Sequence, residues 1–152
     1  MQIAEEQFTD IAGVEHHLRA RKHEGTNYFV VYFADTYMTA DTAEKAFDQV
    51  HTSVNHNLPH AFVQKPSEKQ AAVLGWIRAH LRPGTRGKAK RYSSYQLKHV
   101  VERAIGAYVG NGELKGAMLQ AGYIPSVGTD MYDINWDFVL ERGLPEKLDL
   151  RR

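Results

Sequence analysis

The sequence predicts an α+β fold: a mostly helical single domain with a buried N-terminal strand and, further on, a helix-turn-helix-like unit followed by a small β hairpin. Three observations carry this. First, helix-start signatures recur at Asp41-x-x-Glu44, Ser67-x-x-Gln70 and Ser93-x-x-Gln96, where a cap side chain and a reciprocal Glu or Gln satisfy the first free N–H groups of a helix. Second, Tyr28–Phe33 (YFVVYF) is β-branched and aromatic, of strand length, and apolar at every position. Third, two helical patterns are separated by Gly110-Asn111-Gly112 and followed by Ile134, Trp136, Phe138 and Leu140, which alternate with Asn135, Asp137 and Val139 at the period of a half-buried strand.

Taken in order, Ile11, Val14 and Leu18 follow Asp10 at helical spacing and predict a first amphipathic helix ending at Gly25, with His16, Arg19 and Lys22 on its wet side. The strand Tyr28–Phe33 follows, read as an inner rather than an edge strand. A helix from Asp41 carries Ala43, Ala46, Phe47 and Val50 and is expected to break at Asn55, Asn57 and Pro59. The helix from Ser67 has a stripe of Leu74, Ile77 and Leu81, widened by Val73 and Trp76, and Pro83-Gly84 stops it. Thr85–Arg91 (TRGKAKR) has no apolar side chain larger than alanine and reads as a linker or basic arm between halves 1–84 and 85–152. From Ser93, Leu97, Val100, Val101, Ala104, Ile105 and Tyr108 keep a helical period, Gly106 weakens it, and Gly110 is the expected left-handed cap. Asn111 is then expected to cap a short helix bearing Leu114, Ala117, Met118 and Ala121, stopped by Gly122. Val127–Asp130 supplies the turn of a hairpin between Tyr123–Ser126 and the final strand.

The 152 residues suffice for a core without staples, and no cysteine is present, so disulfides, thiolate metal sites and cysteine nucleophiles are excluded. The acidic start MQIAEEQFTD has no apolar stretch of a secretory signal, and no run approaches the length of a membrane span. The expected location is the cytoplasm, with no membrane partner. Net charge is +1 but unevenly spread. Residues 1–48 hold four Lys/Arg against nine Asp/Glu, residues 49–128 eleven against three, and residues 129–152 four against six. A basic centre of this kind is either a polyanion-binding face or a region neutralised by acidic ends folding back on it.

The helix pair and its basic flank are the strongest candidate site. A helix-turn-helix needs a short turn between its helices and presents the second to the major groove, where Asn111, Lys115 and Gln120 are the polar residues offered; Glu113 would repel phosphate there. The basic stretch Arg78, Arg82, Arg86, Lys88, Lys90 and Arg91 holds no acid; with Lys98 it offers candidate phosphate contacts, and the flanking aromatics Trp76, Tyr92 and Tyr95 are suited to stack on unpaired bases. The alternative for the same stretch is a solvated linker beside a helix end that favours cations. His51, His56 and His60 lie close in sequence, but the asparagines and Pro59 between them argue for a solvated loop, so no metal site and no cofactor is expected. Gly110-Asn111-Gly112 with Gly116 lacks the lysine and hydroxyl of a phosphate loop and reads as a turn.

The run SSYQLKHVVERAIGAYVGNGELKGAMLQAGY, followed by INWDFVL, resembles a segment of small uncharacterised accessory proteins of temperate bacteriophages and prophages. It is also loosely similar to the winged-helix tail of phage and poxvirus-type primase–helicases, in which an L-x-x-x-G-[FY] turn precedes a wing. Here the turn is Leu119-x-x-Gly122-Tyr123, one residue shorter, and the resemblance covers about 50 of the 152 residues. No Walker motif or primase carboxylate cluster accompanies it. The resemblance implies a phage-type accessory protein rather than a replicative enzyme, and with the basic arm and the helix-turn-helix-like unit the expectation is a non-enzymatic binder of nucleic acid. Two alternatives stand beside it: an anti-defence, anti-CRISPR-like inhibitor of a host nucleoprotein complex, and a metal-dependent nuclease using the histidine segment.

Overall fold

In a computed structural model the described residues are 3–83 and 90–141. The fold is mixed α+β, and the chain divides into two compact units, residues 1–56 and 57–152. The helix that starts at Ser67 lies within the second unit and packs on the two helices after it.

The first unit is an antiparallel meander of β1 (Ile3–Thr9), β2 (Glu15–Lys22), β3 (Phe29–Phe33) and β4 (Thr36–Ala40), followed by α1 (Ala43–Asn57). The expected first helix is absent. Its Ile11 and Val14 belong to a turn in which Asp10 Oδ1 accepts from the N–H groups of Ala12 and Val14, with Gly13 at φ 83. Beyond that turn, His16, Leu18 and Ala20 point inward while Glu15, His17, Arg19 and Arg21 point outward, a period of two that overrides the helical spacing. His16, expected on a wet face, is largely buried, with Nε2 2.7 Å from the buried Asp10 Oδ2. β3 is an inner strand as expected, but it is not buried throughout: Val30 and Val31 are buried while Tyr32 is 75% exposed. The sheet's inner face meets α1, where Phe47, Val50 and Val54 are buried and the His51 ring stacks on Phe8 at 4.2 Å. α1 continues through Asn55 and His56, so the expected break comes only at Leu58.

The second unit contains a 3-10 helix (Pro59–Gln64), α2 (Ser67–His80), β5 (Lys90–Ser93), α3 (Ser94–Ile105), α4 (Asn111–Gln120) and β6 (Asp137–Leu140). Its core gathers Phe62, Val73, Ile77, Leu97, Val101, Leu114, Met118 and Phe138. Of two signatures expected here, only the second forms. Ser93 Oγ accepts from Gln96 N while Gln96 Oε1 accepts from Ser93 N, whereas α2 starts at Pro66 without a side-chain cap. Gly106, not Gly110, is the left-handed cap of α3 at φ 71; Gly110 instead precedes α4, and Asn111 is its first helical residue.

The largest correction concerns the wing. β6 does not pair with Tyr123–Ser126, where a single hydrogen bond joins Ser126 N to Asp137 O. Its partner is β5, in the register Tyr92↔Phe138 and Lys90↔Leu140. Lys90 and Arg91, expected in a free arm, are therefore strand residues. The pairing arises because Tyr92 faces the same interior as Phe138 and Leu140, and all three are at most 1% exposed.

Candidate nucleic-acid interface

The amino-terminal half of α4, expected to face a partner, holds three of the buried polar or charged side chains among the described residues. Lys115 is fully buried; its Nζ donates to Asn57 O and Asp133 O, both at 2.8 Å, and lies 5.1 Å from the Trp136 ring centroid. Asn111 is 5% exposed, and its Nδ2 donates to Asn57 Oδ1, Ile134 O and Asn135 Oδ1. Glu113 Oε1 accepts from Gly110 N, and its Oε2 lies 3.2 Å from Lys69 Nζ. This negative group satisfies the start of α4 from within. The cause of the enclosure is Gly116. A Cβ there would stand 2.2 Å from Pro59 O and 2.5 Å from Phe62 Cβ, so glycine lets α4 lie directly on the 3-10 helix. Asn111 and Lys115 thus hold the fold together, and α4 has no exposed amino-terminal face to place in a groove.

Two further candidates are also internal. Tyr92 is 0% exposed and is a core residue rather than a stacking platform. Lys98 is 8% exposed; its ammonium sits 3.1 Å from Glu102 Oε1 and within 5.7 Å and 5.1 Å of the Tyr95 and Tyr108 ring centroids. Glu102 is the hub of that cluster. Burial pushes its carboxyl up, but the Val109 N–H, the Lys98 hydrogen bond and charge, and the His99 charge outweigh burial and hold it below the ordinary carboxylate value.

The remaining described candidates are exposed. Arg82 donates to Leu81 O and Arg78 O at the carboxyl end of α2, and the Arg78 guanidinium reaches the backbone oxygen of the exposed Gln120 at 3.4 Å. Burial raises the Tyr123 phenol above its ordinary value, and the Arg82 charge opposes that shift. Lys90 and Arg91 are exposed on β5, with Arg91 3.7 Å from Asp137. The backbone brings Arg82 and Lys90 to the end of β6, because Glu141 N donates to Arg82 O while Pro83 and Lys90 both pair with Leu140; Arg91, the next residue of β5, points to the opposite face of the strand from Lys90. Arg86 and Lys88 lie outside the described residues.

The histidine segment is not assembled into a site. His51 Nε2 is bonded to Glu6 Oε2 at 2.8 Å, and His56 and His60 are exposed on different elements. Among the described residues no group of three or more His, Cys, Asp or Glu is placed to hold a metal ion, and no helix is long and apolar enough to cross a membrane. Arg78 belongs to the basic stretch legible in the sequence, whereas Tyr95, His99 and Arg103 were not expected as a set. Their spacing of four on the wet side of α3 was the signal available. No protein-family model, no curated protein and no solved structure matches the chain.

Proposed function

We propose that this chain is a nucleic-acid-binding accessory protein whose second unit grips the phosphate backbone. The observation that carries the reading is that four exposed cations, Arg78, Arg82, Lys90 and Arg91, lie on the end of α2, just after it and on β5, segments tied to β6 by the Pro83–Leu140 bridge and the β5–β6 pairing. Acids nearby are partly committed: Glu102 and Glu113 are bound internally, while Asp137 and Glu141 border the cationic face. The order α2–β5–α3–α4–β6 keeps the helix pair expected from the sequence but, among the described residues, without the hairpin of a wing. With the start of α4 buried, binding rests on phosphate contacts, and these carry affinity without direct sequence readout. Replacing Arg78, Arg82, Lys90 and Arg91 by glutamine is expected to weaken a 20-base-pair duplex of any sequence about equally. The salt slope is expected to fall by roughly 0.9 per lost contact in an anisotropy titration at two salt concentrations. Unchanged affinity and slope overturn the reading.

A second reading has its own observation. Tyr28, Tyr32 and Tyr37 are 55%, 75% and 61% exposed on the outer side of the first unit, whose balance is nine acids to four Lys/Arg. Tyrosine-rich surfaces suit protein contacts. They support an anti-defence inhibitor that binds a host nucleoprotein complex. Absence of any shift with duplex or single-stranded DNA at low salt favours that reading.

A further inference from the structure

We propose that the depression at the carboxyl end of α3 receives an unpaired nucleotide, making the protein a binder of single strands. This rests on the nucleic-acid reading above and names its substrate class. The depression has a volume of about 540 Å³ and is lined by His99, Glu102, Arg103, Gly106, Ala107 and Tyr108. That is within the range of pockets for small ligands, roughly 300–1,000 Å³, and too open to enclose one, as a strand passing across it requires. Along α3 the exposed Tyr95, the half-buried His99 and the exposed Arg103 follow at intervals of four, one stripe that ends near Tyr108. Tyr95 is 53% and Tyr108 60% exposed, and the His99 ring meets Tyr95 edge-on at 4.5 Å.

The platform is held in place before any ligand arrives. Lys69 Nζ donates to Tyr108 O, and Val109 N donates to Glu102 Oε1 at 3.1 Å, so the backbone of the loop after Gly106 is fixed from two sides. Glu102 Oε2 lies 3.2 Å from His99 Nδ1, which orients that ring. A rigid aromatic surface loses little freedom when a base stacks on it. The charge also suits a phosphate: Arg103 is exposed, Lys98 lies beneath the two tyrosines, and the one acid of the depression already faces Lys98, His99 and an N–H. Aromatic faces interleaved with cations bind single strands with little sequence preference, because every base has a π face. Paired bases present no free face, so a duplex gains nothing here.

The test compares a fluorescein-labelled fifteen-nucleotide oligo(dT) with a duplex, using the full chain. The double variant Tyr95→Leu/Tyr108→Leu, checked for parental circular dichroism, is expected to lose roughly tenfold or more in affinity for oligo(dT) while duplex affinity and salt slope stay unchanged. Arg103→Gln is expected to flatten the single-strand salt slope by about 0.7. Because the leucine variant alters the surroundings of Lys98, a second measurement uses the parent protein: photocrosslinking of a 5-iodouracil oligonucleotide should map to Tyr95 or Tyr108. Parental oligo(dT) affinity in the folded double variant, or crosslinks confined to other residues, overturns the inference. If the four-glutamine variant still loses binding in that case, the phosphate-grip reading stands alone; if the parent binds neither DNA, both fall.

Discussion

Lys115 shows how one residue's role depends on its surroundings. As a cation on a short helix it matches the residue type that reads a groove, yet its ammonium ends on two backbone carbonyls inside the second unit. Lys115→Met keeps the length and apolar stem but leaves Asn57 O and Asp133 O without that donor. Removing a buried charge returns its desolvation cost, so the two effects oppose each other. Two part-buried carbonyls left short of a donor lose more than that return, and a net loss of about 1–2 kcal/mol is expected in urea unfolding followed by tryptophan fluorescence. DNA affinity of the folded variant should match the parent. A groove-reading residue would give the reverse pattern, with stability kept and affinity lost.

Among the elements, α4 is the one whose position most changes the functional reading. It lies against the 3-10 helix along its length, and Gly116 is the point of closest approach. Alanine is the better helix former by about 1 kcal/mol, so on an exposed helix Gly116→Ala would stabilise. Here the added methyl meets the backbone oxygen of Pro59, which cannot rotate away as a side-chain end can. The cost of overpacking, about 1–3 kcal/mol and occasionally more, wins. A lower thermal midpoint for Gly116→Ala is the expected result, and a higher one would show that α4 stands off from the 3-10 helix. β5 behaves similarly as an element set by context. Four residues, KRYS, carry too little pattern to declare a strand, and pairing with β6 gives them one.

Across the whole molecule, charge and chain order divide at the same place. Residues 1–56 hold nine acids and four Lys/Arg, and residues 57–152 hold nine acids and fifteen Lys/Arg. An approaching polyanion is therefore repelled by one unit and drawn to the other. Amide hydrogen exchange of the full chain with saturating oligo(dT) is expected to slow within residues 57–141, most in β5 and at the carboxyl end of α3, and to stay unchanged over residues 3–56. Protection centred on Tyr28–Tyr37 would instead favour the tyrosine face as the contact surface.

The sequence by itself determined the features that depend on near neighbours. The Ser93–Gln96 box, the helical periods of α3 and α4, the strand at Phe29–Phe33 and the alternation of Trp136, Phe138 and Leu140 all arise from residues within a few positions of each other, and all are present. The charged ends and basic centre were legible for the same reason, since they need only counting. Tertiary structure decided the rest. Whether Ile11, Val14 and Leu18 mark a helix or a turn and a strand depended on a buried Asp10 and on β3, which pairs with β2 at Ala20↔Val31. Which cations face solvent depended on Pro59, Asn57 and Asp133, brought to α4 from up to 58 residues away. A lysine's type is written in the sequence, but its exposure is a property of what the fold places around it.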